Sequence, residues 1–280
     1  IPSPDYPLWT ASATLNGAQV RHYRCPPENR FAPDLDHLQS LISKKTRAIV
    51  VINPNNPSGA VYDRDTLQAI ADLASRHGLV VLADEIYDQM VYDGARFVPM
   101  ATLAGDAVCL TFSGLSKVYR ACGYRVGWCV FSGDADRAEE FRNAMDLLAS
   151  LRLCSNVPGQ WAVQTALGGF QSIRDLVQPG GRLHQSRQAV IDAVDASANL
   201  SLVPPMGAMY AFIRLAAPIA EKLDDQQFAL ELLETRHVLV APGSSFNTQY
   251  RDHFRITTLP DPDQIGEVFA RVDDLLAQHA

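Results

Sequence analysis

The chain has 280 residues, 47% of them hydrophobic and 20% charged, with a formal net charge of −7. That size gives one large domain or two smaller ones with a substantial core. The acidic balance argues against nucleic acid as a partner, and no apolar run approaches the roughly 18 residues that would suggest a membrane span. The five cysteines (Cys25, Cys109, Cys122, Cys129 and Cys154) show no CxxC spacing and read as free thiols of a reducing cytoplasm. The first residue is Ile1, not Met, and no signal-peptide pattern follows, so the start reads as processed, truncated or incomplete.

In chain order, Arg47–Ile52 is an apolar strand candidate. Arg64–His77 has helical periodicity, with Leu67, Ile70, Ala71, Leu73 and Ala74 on one face, Gly78 as its stop and His77 in its last turn. Leu79–Ala83 is again β-branched and apolar. The resulting strand–helix–strand unit marks a parallel α/β sheet. Ala107–Phe112 and Arg125–Phe131 extend it.

Beyond Asp134, helices are expected at about 134–150, 158–171 and 181–197, with Gln178-Pro179-Gly180-Gly181 as a break or linker. Then come strands at Met209–Leu215, Val238–Ala241 and Phe254–Thr257 and helices at Gln226–Arg236 and Asp263–Leu276. Asp261 and Gln264 form a capping-box pattern before the last helix, and Pro262 suits its first turn. The expected architecture is therefore a mostly parallel α/β sheet flanked by helices over residues 1–172, followed by a smaller α+β domain over 173–280.

Three polar groups fall just past the strands of the first unit: Asn56 in Asn53-Pro54-Asn55-Asn56-Pro57-Ser58-Gly59, Asp84 in Ala83-Asp84-Glu85-Ile86-Tyr87, and Lys117 in Ser113-Gly114-Leu115-Ser116-Lys117. Open parallel sheets bind ligands beyond the carboxyl ends of their strands, so the three converge on one rim. Each has a plainer explanation alone: a turn for Asn56, a helix N-cap for Asp84, a solvated surface lysine for Lys117. Their occurrence in order, with Tyr87 and Arg125, favours a shared site. Glu85 would point to the opposite side if the strand persists. No metal is expected, since His184, His237 and His253 lack metal-like partners.

The segments NPNNPSG, ADEIYD and SGLSKVYRACGYRVGW resemble the signatures of pyridoxal-phosphate-dependent aminotransferases of class I/II, the fold type I enzymes. The run Ala149–Pro158 and the segment Gln164–Gly169 are similar to bacterial glutamate–pyruvate (alanine) aminotransferases, and the resemblance covers essentially the whole chain. It implies that Lys117 carries the cofactor as a Schiff base and serves as the catalytic base, that Asp84 faces the pyridine nitrogen, and that Asn56 and Tyr87 bind the ring's phenolic oxygen. It also implies that Tyr6 stacks on the ring, although a core tyrosine near a turn is an equal reading. Ser113, Ser116 and Arg125 would serve the phosphate, and Arg255 would hold the substrate carboxylate beside Asn56. Gly207-Ala208-Met209-Tyr210 resembles a small-domain motif, but residue by residue a strand-entry turn is the better reading. Arg120 and Arg152 receive no chemistry.

The implied reaction moves an amino group between an alanine- or glutamate-like amino acid and pyruvate or 2-oxoglutarate, in a cytoplasmic homodimer. A pyridoxal-phosphate β-lyase and a non-catalytic remnant or regulatory module on the same fold stand as alternatives. Two departures from the family pattern stand out. Gly114 sits where many relatives carry a phosphate-binding Ser or Thr. The resemblance also implies on the order of a hundred further residues, the size of a domain half, ahead of the Pro4-Asp5-Tyr6 segment.

Overall fold

The strand-like apolar runs gather side by side in a computed structural model that describes residues 1–279. In chain order the elements are β1 (Pro2–Ser3), α1 (Pro7–Leu15), β2 (Tyr23–Arg24), α2 (Leu35–Leu41), β3 (Ala48–Ile52), α3 (Arg64–His77), β4 (Val80–Asp84), β5 (Cys109–Gly114) and β6 (Gly127–Ser132). They continue with α4 (Ala135–Arg152), α5 (Val157–Gly168), α6 (Ile173–Val177), α7 (Arg182–Ala196), β7 (Leu200–Leu202), β8 (Tyr210–Leu215), α8 (Ala217–Ala220), α9 (Asp225–Arg236), β9 (Ala241–Pro242), β10 (His253–Thr257) and α10 (Pro262–Leu276).

The first large sheet has the order β3-β4-β5-β6. Its first three strands are parallel and β6 is antiparallel to β5. The α/β expectation is met through the mechanism the sequence suggested. Asp63 caps α3 by accepting from the Thr66 N–H, and Gly78 ends it in the left-handed region at φ 64°. The five predicted apolar positions of α3 are all buried against a core that includes Ile49, Val51, Val81 and Cys109. Leaving water is the main stabilisation of this unit, at about 25 cal/mol per Å² of apolar surface.

The second large sheet is antiparallel, in the order β7-β8-β10-β9. Val190, Val194, Phe228, Leu232, Phe269 and Val272, from α7, α9 and α10, pack with its strands in a separate core. A third cluster joins the two regions: Tyr87, Met90, Tyr92 and Val118 meet Ile173, Val177, Leu183, Ala208 and Tyr210.

Two expectations shift. The 158–171 helix stops at Gly168, because Gly169 takes an extended conformation and Gln171 turns its amide back onto the Ala166 and Gly169 carbonyls. The strand expected over Val238–Ala241 pairs only at Ala241 and Pro242. Val238 and Val240 are buried and Leu239 is exposed, so the segment alternates like a strand but makes no ladder of its own until β9. The Asp261/Gln264 pattern is realised, with the Gln264 amide oxygen accepting from the Asp261 N–H at 3.2 Å.

The loop 53–61 that follows β3 is fastened to the segment leading into β8. The Gly59 carbonyl accepts from the N–H groups of Met206 (2.9 Å) and Gly207 (2.8 Å). Arg187, only 2% exposed, locks the same segment from behind: its Nε donates to the Pro205 carbonyl at 2.6 Å and its Nη2 pairs with Asp93 at 2.8 Å. At Gly59, φ is +69°, and a Cβ there would collide with the Pro205 side chain and stand 2.9 Å from the Gly207 carbonyl oxygen. Gly59→Ala is therefore expected to destabilise the protein by about 3 kcal/mol, from left-handed strain plus overpacking. Urea unfolding checks this: an unchanged midpoint would show that the crossing is looser than its contacts imply.

Candidate active site

The side chains of the site come from the ends of regular elements, from the loops that follow them and, for Arg255, from the middle of a strand. In the loop after β3, the Asn53 amide oxygen accepts from the Tyr62 N–H at 2.9 Å, and that of Asn55 accepts from the Ser58 N–H (3.1 Å) and hydroxyl (2.7 Å). Asn53 and Asn55 thus do the turn-making, and Asn56 faces the cavity.

Asp84 is the last residue of β4, paired in register with Ile52 and Phe112. Its carboxylate accepts from the Trp9 indole N–H at 2.9 Å and from the Ile86 N–H at 3.4 Å. Burial pushes the Asp84 carboxyl up from its ordinary value, while those two donors and the Lys117 charge pull it back down. Glu85 points away, as strand alternation requires, and accepts from the Met100 N–H at 2.7 Å. It is 6% exposed, and burial pushes its carboxyl up to about 7.

Lys117 lies just past β5, in the turn that carries Ser116. Tyr87 lies just past β4, with its hydroxyl 3.0 Å from that of Tyr210 at the start of β8. Burial, then the Tyr210 neighbour, raises the Tyr87 phenol far above its ordinary value, so it stays a neutral hydroxyl. Arg255 comes from the middle of β10. Its guanidinium lies 4.3 Å from the Tyr210 ring centre and 4.7 Å from that of Phe246, and donates to the Asn56 amide oxygen at 3.0 Å. Burial pulls its pKa below the ordinary value. Its Nε is buried with no hydrogen-bond partner among the described residues.

These groups share one cavity of about 440 Å³, lined by Tyr6, Ile52, Asn56, Asp84, Ile86, Tyr87, Phe112, Ser113, Ser116, Lys117, Tyr210 and Arg255. Every sequence-proposed site residue except Arg125 is among them. Arg125 is exposed, in the left-handed region at φ 52°, and its guanidinium donates to the Cys122 carbonyl at 2.7 Å. It sits two residues before the Gly114–Gly127 pairing, at the same end of the sheet as Ser113 and Lys117. A more open groove of about 530 Å³ between α2 and α3 brings no comparable set of groups together.

Sequence reasoning missed Trp9 and set aside Tyr210. Trp9 follows Tyr6 at the i, i+3 spacing of a helix opened by Pro7, which was the available signal. Gly207 and Ala208 do form the entry to β8, as the plainer reading had it, but Tyr210 faces the cavity. Gly114 also gains a reason. A Cβ there would stand 2.7 Å from the Val126 carbonyl oxygen and 3.0 Å from the Gly127 Cα, so the β5–β6 pairing excludes a side chain.

The sequence profile of the family described as aminotransferase class I and II matches residues 1–272. The chain belongs to this family. It is 47% identical over 279 residues to an alanine aminotransferase of Mycobacterium tuberculosis (strain ATCC 25618 / H37Rv), covering 100% of this chain and 65% of that protein. It is 45% identical over 265 residues to the glutamate-pyruvate aminotransferase AlaA of Escherichia coli (strain K12), covering 95% and 65%. The chain thus spans about 65% of the length of these curated relatives. Among solved structures, an aminotransferase from Escherichia coli superposes with a TM-score of 0.97 at 43% identity, covering 100% of this chain and 70% of that one. An alanine aminotransferase from Pyrococcus furiosus gives 0.93 at 34% identity, covering 99% and 70%. The fold is that of the fold type I aminotransferases, and the cofactor of the family is pyridoxal 5′-phosphate.

Glu85 gives the chain a pH signature separate from its cavity. Its folded pKa of about 7 lies above the ordinary 4.5, so the folded state holds a proton that the unfolded state releases. That contribution is fully present below about 4.5 and is lost as pH rises through about 7. Glu85→Gln, which keeps an acceptor for the Met100 N–H, is expected to gain on the parent by roughly 2–3 kcal/mol between pH 4.5 and pH 8. Denaturant unfolding at both pH values measures this. A difference that does not change with pH would mean Glu85 is already ionised in the fold.

Proposed function

We propose that the protein transfers an amino group between an alanine- or glutamate-like amino acid and pyruvate or 2-oxoglutarate, with pyridoxal phosphate held in the cavity of Asn56, Asp84, Lys117 and Arg255. The observation that carries this reading is that one cavity joins an amine, a half-buried carboxylate, two neutral donors and a half-buried guanidinium. One feature suits the cofactor and another its amino acid substrate. Asp84 holds a carboxylate where burial opposes its charge, a place for a pyridinium to compensate. Arg255 has a buried Nε without a partner, an open half of a fork that fits a carboxylate.

When bound, pyridoxal phosphate supplies an electron sink for the pair left behind as the substrate Cα–H bond breaks. Lys117 would hold the cofactor through its amine and then take and return the substrate α-proton at Nζ. Asp84 would keep the pyridine nitrogen protonated. The Tyr87 hydroxyl and the Asn56 amide nitrogen would donate to the phenolic oxygen; Asn56 has that end to offer because its oxygen is engaged by Arg255. Tyr6 would cover the ring face, and Ser113 and Ser116 would serve the phosphate. Arg125 would join them by turning its guanidinium away from the Cys122 carbonyl. Arg255, whose guanidinium carbon lies over the Tyr210 and Phe246 rings, would orient the substrate carboxylate.

The same reading carries a homodimer, a family habit, and a cytoplasmic setting, which the free cysteines support. It divides the chain into a cofactor-binding region, 1–172, and a smaller region, 173–280, an assignment supported by a core formed wholly within 173–280, while Phe212 and Phe246 of that region also pack into the core of the first sheet.

Incubation with pyridoxal phosphate, borohydride reduction and peptide mapping test the assignment. The reduced adduct is expected on Lys117; a folded protein that is labelled elsewhere or not at all would sink it. Release of pyruvate and ammonia from a cysteine-type substrate without an oxo acid would replace it with a β-lyase. Arg255→Gln is expected to raise KM for the amino acid by about tenfold or more, with cofactor loading kept within about twofold. Equal KM values would remove Arg255 from the substrate site.

A further inference from the structure

Helix α1 carries a side chain that the functional reading leaves without a task. None of its residues is buried, yet Trp9 reaches across to β4 and donates its indole N–H to Asp84 Oδ2 at 2.9 Å. The ring is held edge-on to Phe112 of β5, with centroids 5.3 Å apart and planes at 74°. Phe112 pairs with Asp84 in register, so the indole is positioned by the neighbour of the carboxylate it binds. One turn earlier, Tyr6 lines the same cavity.

We infer that Trp9 is a positioning residue that fixes the Asp84 carboxylate, oriented and charged, for the ring nitrogen of the cofactor. The inference rests on the reading of the cavity as a pyridoxal phosphate site. An indole N–H suits the task because it donates only and does not titrate at any working pH. The bond therefore favours the ionised carboxylate without adding a second proton equilibrium, as an imidazole would. With Oδ2 held by Trp9 and Oδ1 by the Ile86 N–H, the carboxyl plane cannot rotate freely. Lys117 is the cation that favours the same charge, and Glu85 and Tyr87 are the other titratable groups that sense Asp84. A hydrogen bond from Trp9 is thus the main restraint that an aromatic residue at this position can add.

The test compares the parent with two variants. Trp9→Phe keeps an aromatic ring against Phe112 and removes the N–H. Replacement of Trp9 by 3-benzothienylalanine keeps the whole bicyclic shape and removes only the N–H. Pyridoxal phosphate affinity is measured by absorbance titration at pH 8 and pH 6, after circular dichroism has shown the native spectrum. Both variants are expected to bind about tenfold more weakly at pH 8, the scale of one hydrogen bond to a charged group. The deficit is expected to widen at pH 6, because a carboxyl that has lost this donor takes up its proton at higher pH. If Trp9→Phe fails to fold, the benzothienyl variant alone decides. Parent-like affinity of the benzothienyl variant at both pH values overturns the inference, and so does a deficit of equal size at both, which marks a packing role. A folded parent that binds no pyridoxal phosphate overturns the functional reading and this inference with it. Parent binding with unaffected variants overturns the inference alone.

Discussion

Arg255 and Asn56 meet across the boundary between the two large sheets, and the cavity exists because of that meeting. Arg255 leaves the middle of β10 and Asn56 the loop after β3, and the hydrogen bond between them is 3.0 Å long. A guanidinium drawn partly out of water needs compensation. Here it comes from one amide oxygen and two aromatic faces, those of Tyr210 and Phe246. Tyr210 then passes the constraint on, since its hydroxyl meets that of Tyr87 on the other side of the cavity. The loop of Asn56 is itself held by the close crossing at Gly59 and Gly207. Remove the contact between β10 and this loop, and the polar groups of one sheet no longer face those of the other.

Two groups in this cavity carry charge where burial opposes it. Asp84 is pushed toward its neutral acid and Arg255 toward its neutral base. Fold stability alone would favour apolar side chains at both positions. Perturbed ionisable groups of this kind concentrate where a protein binds or transforms charged molecules. Glu85 is a useful contrast: burial disfavours its charge too, but it faces away from the cavity and is matched to a backbone N–H. Its shift belongs to the fold and not to the chemistry.

The repeating parts of this arrangement could be read in advance, and the long-range parts could not. Helix α3 announced itself through apolar spacing and Gly78, because both are local. Asp84 and Lys117 could be placed on one rim because parallel strands put their carboxyl ends together. Trp9 escaped notice because α1 buries no residue and so has no apolar stripe to detect; its contacts to Asp84 and Phe112 on two distant strands are what tie it down. The role of Tyr210 depends on an approach to Tyr87 over 123 residues of chain, which no spacing rule encodes. The direction of the Arg125 side chain follows from a left-handed turn and one carbonyl, both of which emerge only with the fold. Val238–Val240 show the reverse error: an alternating pattern was present, but pairing began only at Ala241.

A cavity with walls from two cores ties occupancy to cohesion. A molecule that touches both Asp84 and Arg255 binds only while the antiparallel sheet is seated on the parallel one. Its binding free energy is therefore added to the interface between them, growing by about 1.4 kcal/mol for each tenfold rise in free ligand above its dissociation constant. Small-molecule supply thus becomes a determinant of how long the protein survives heat and proteases.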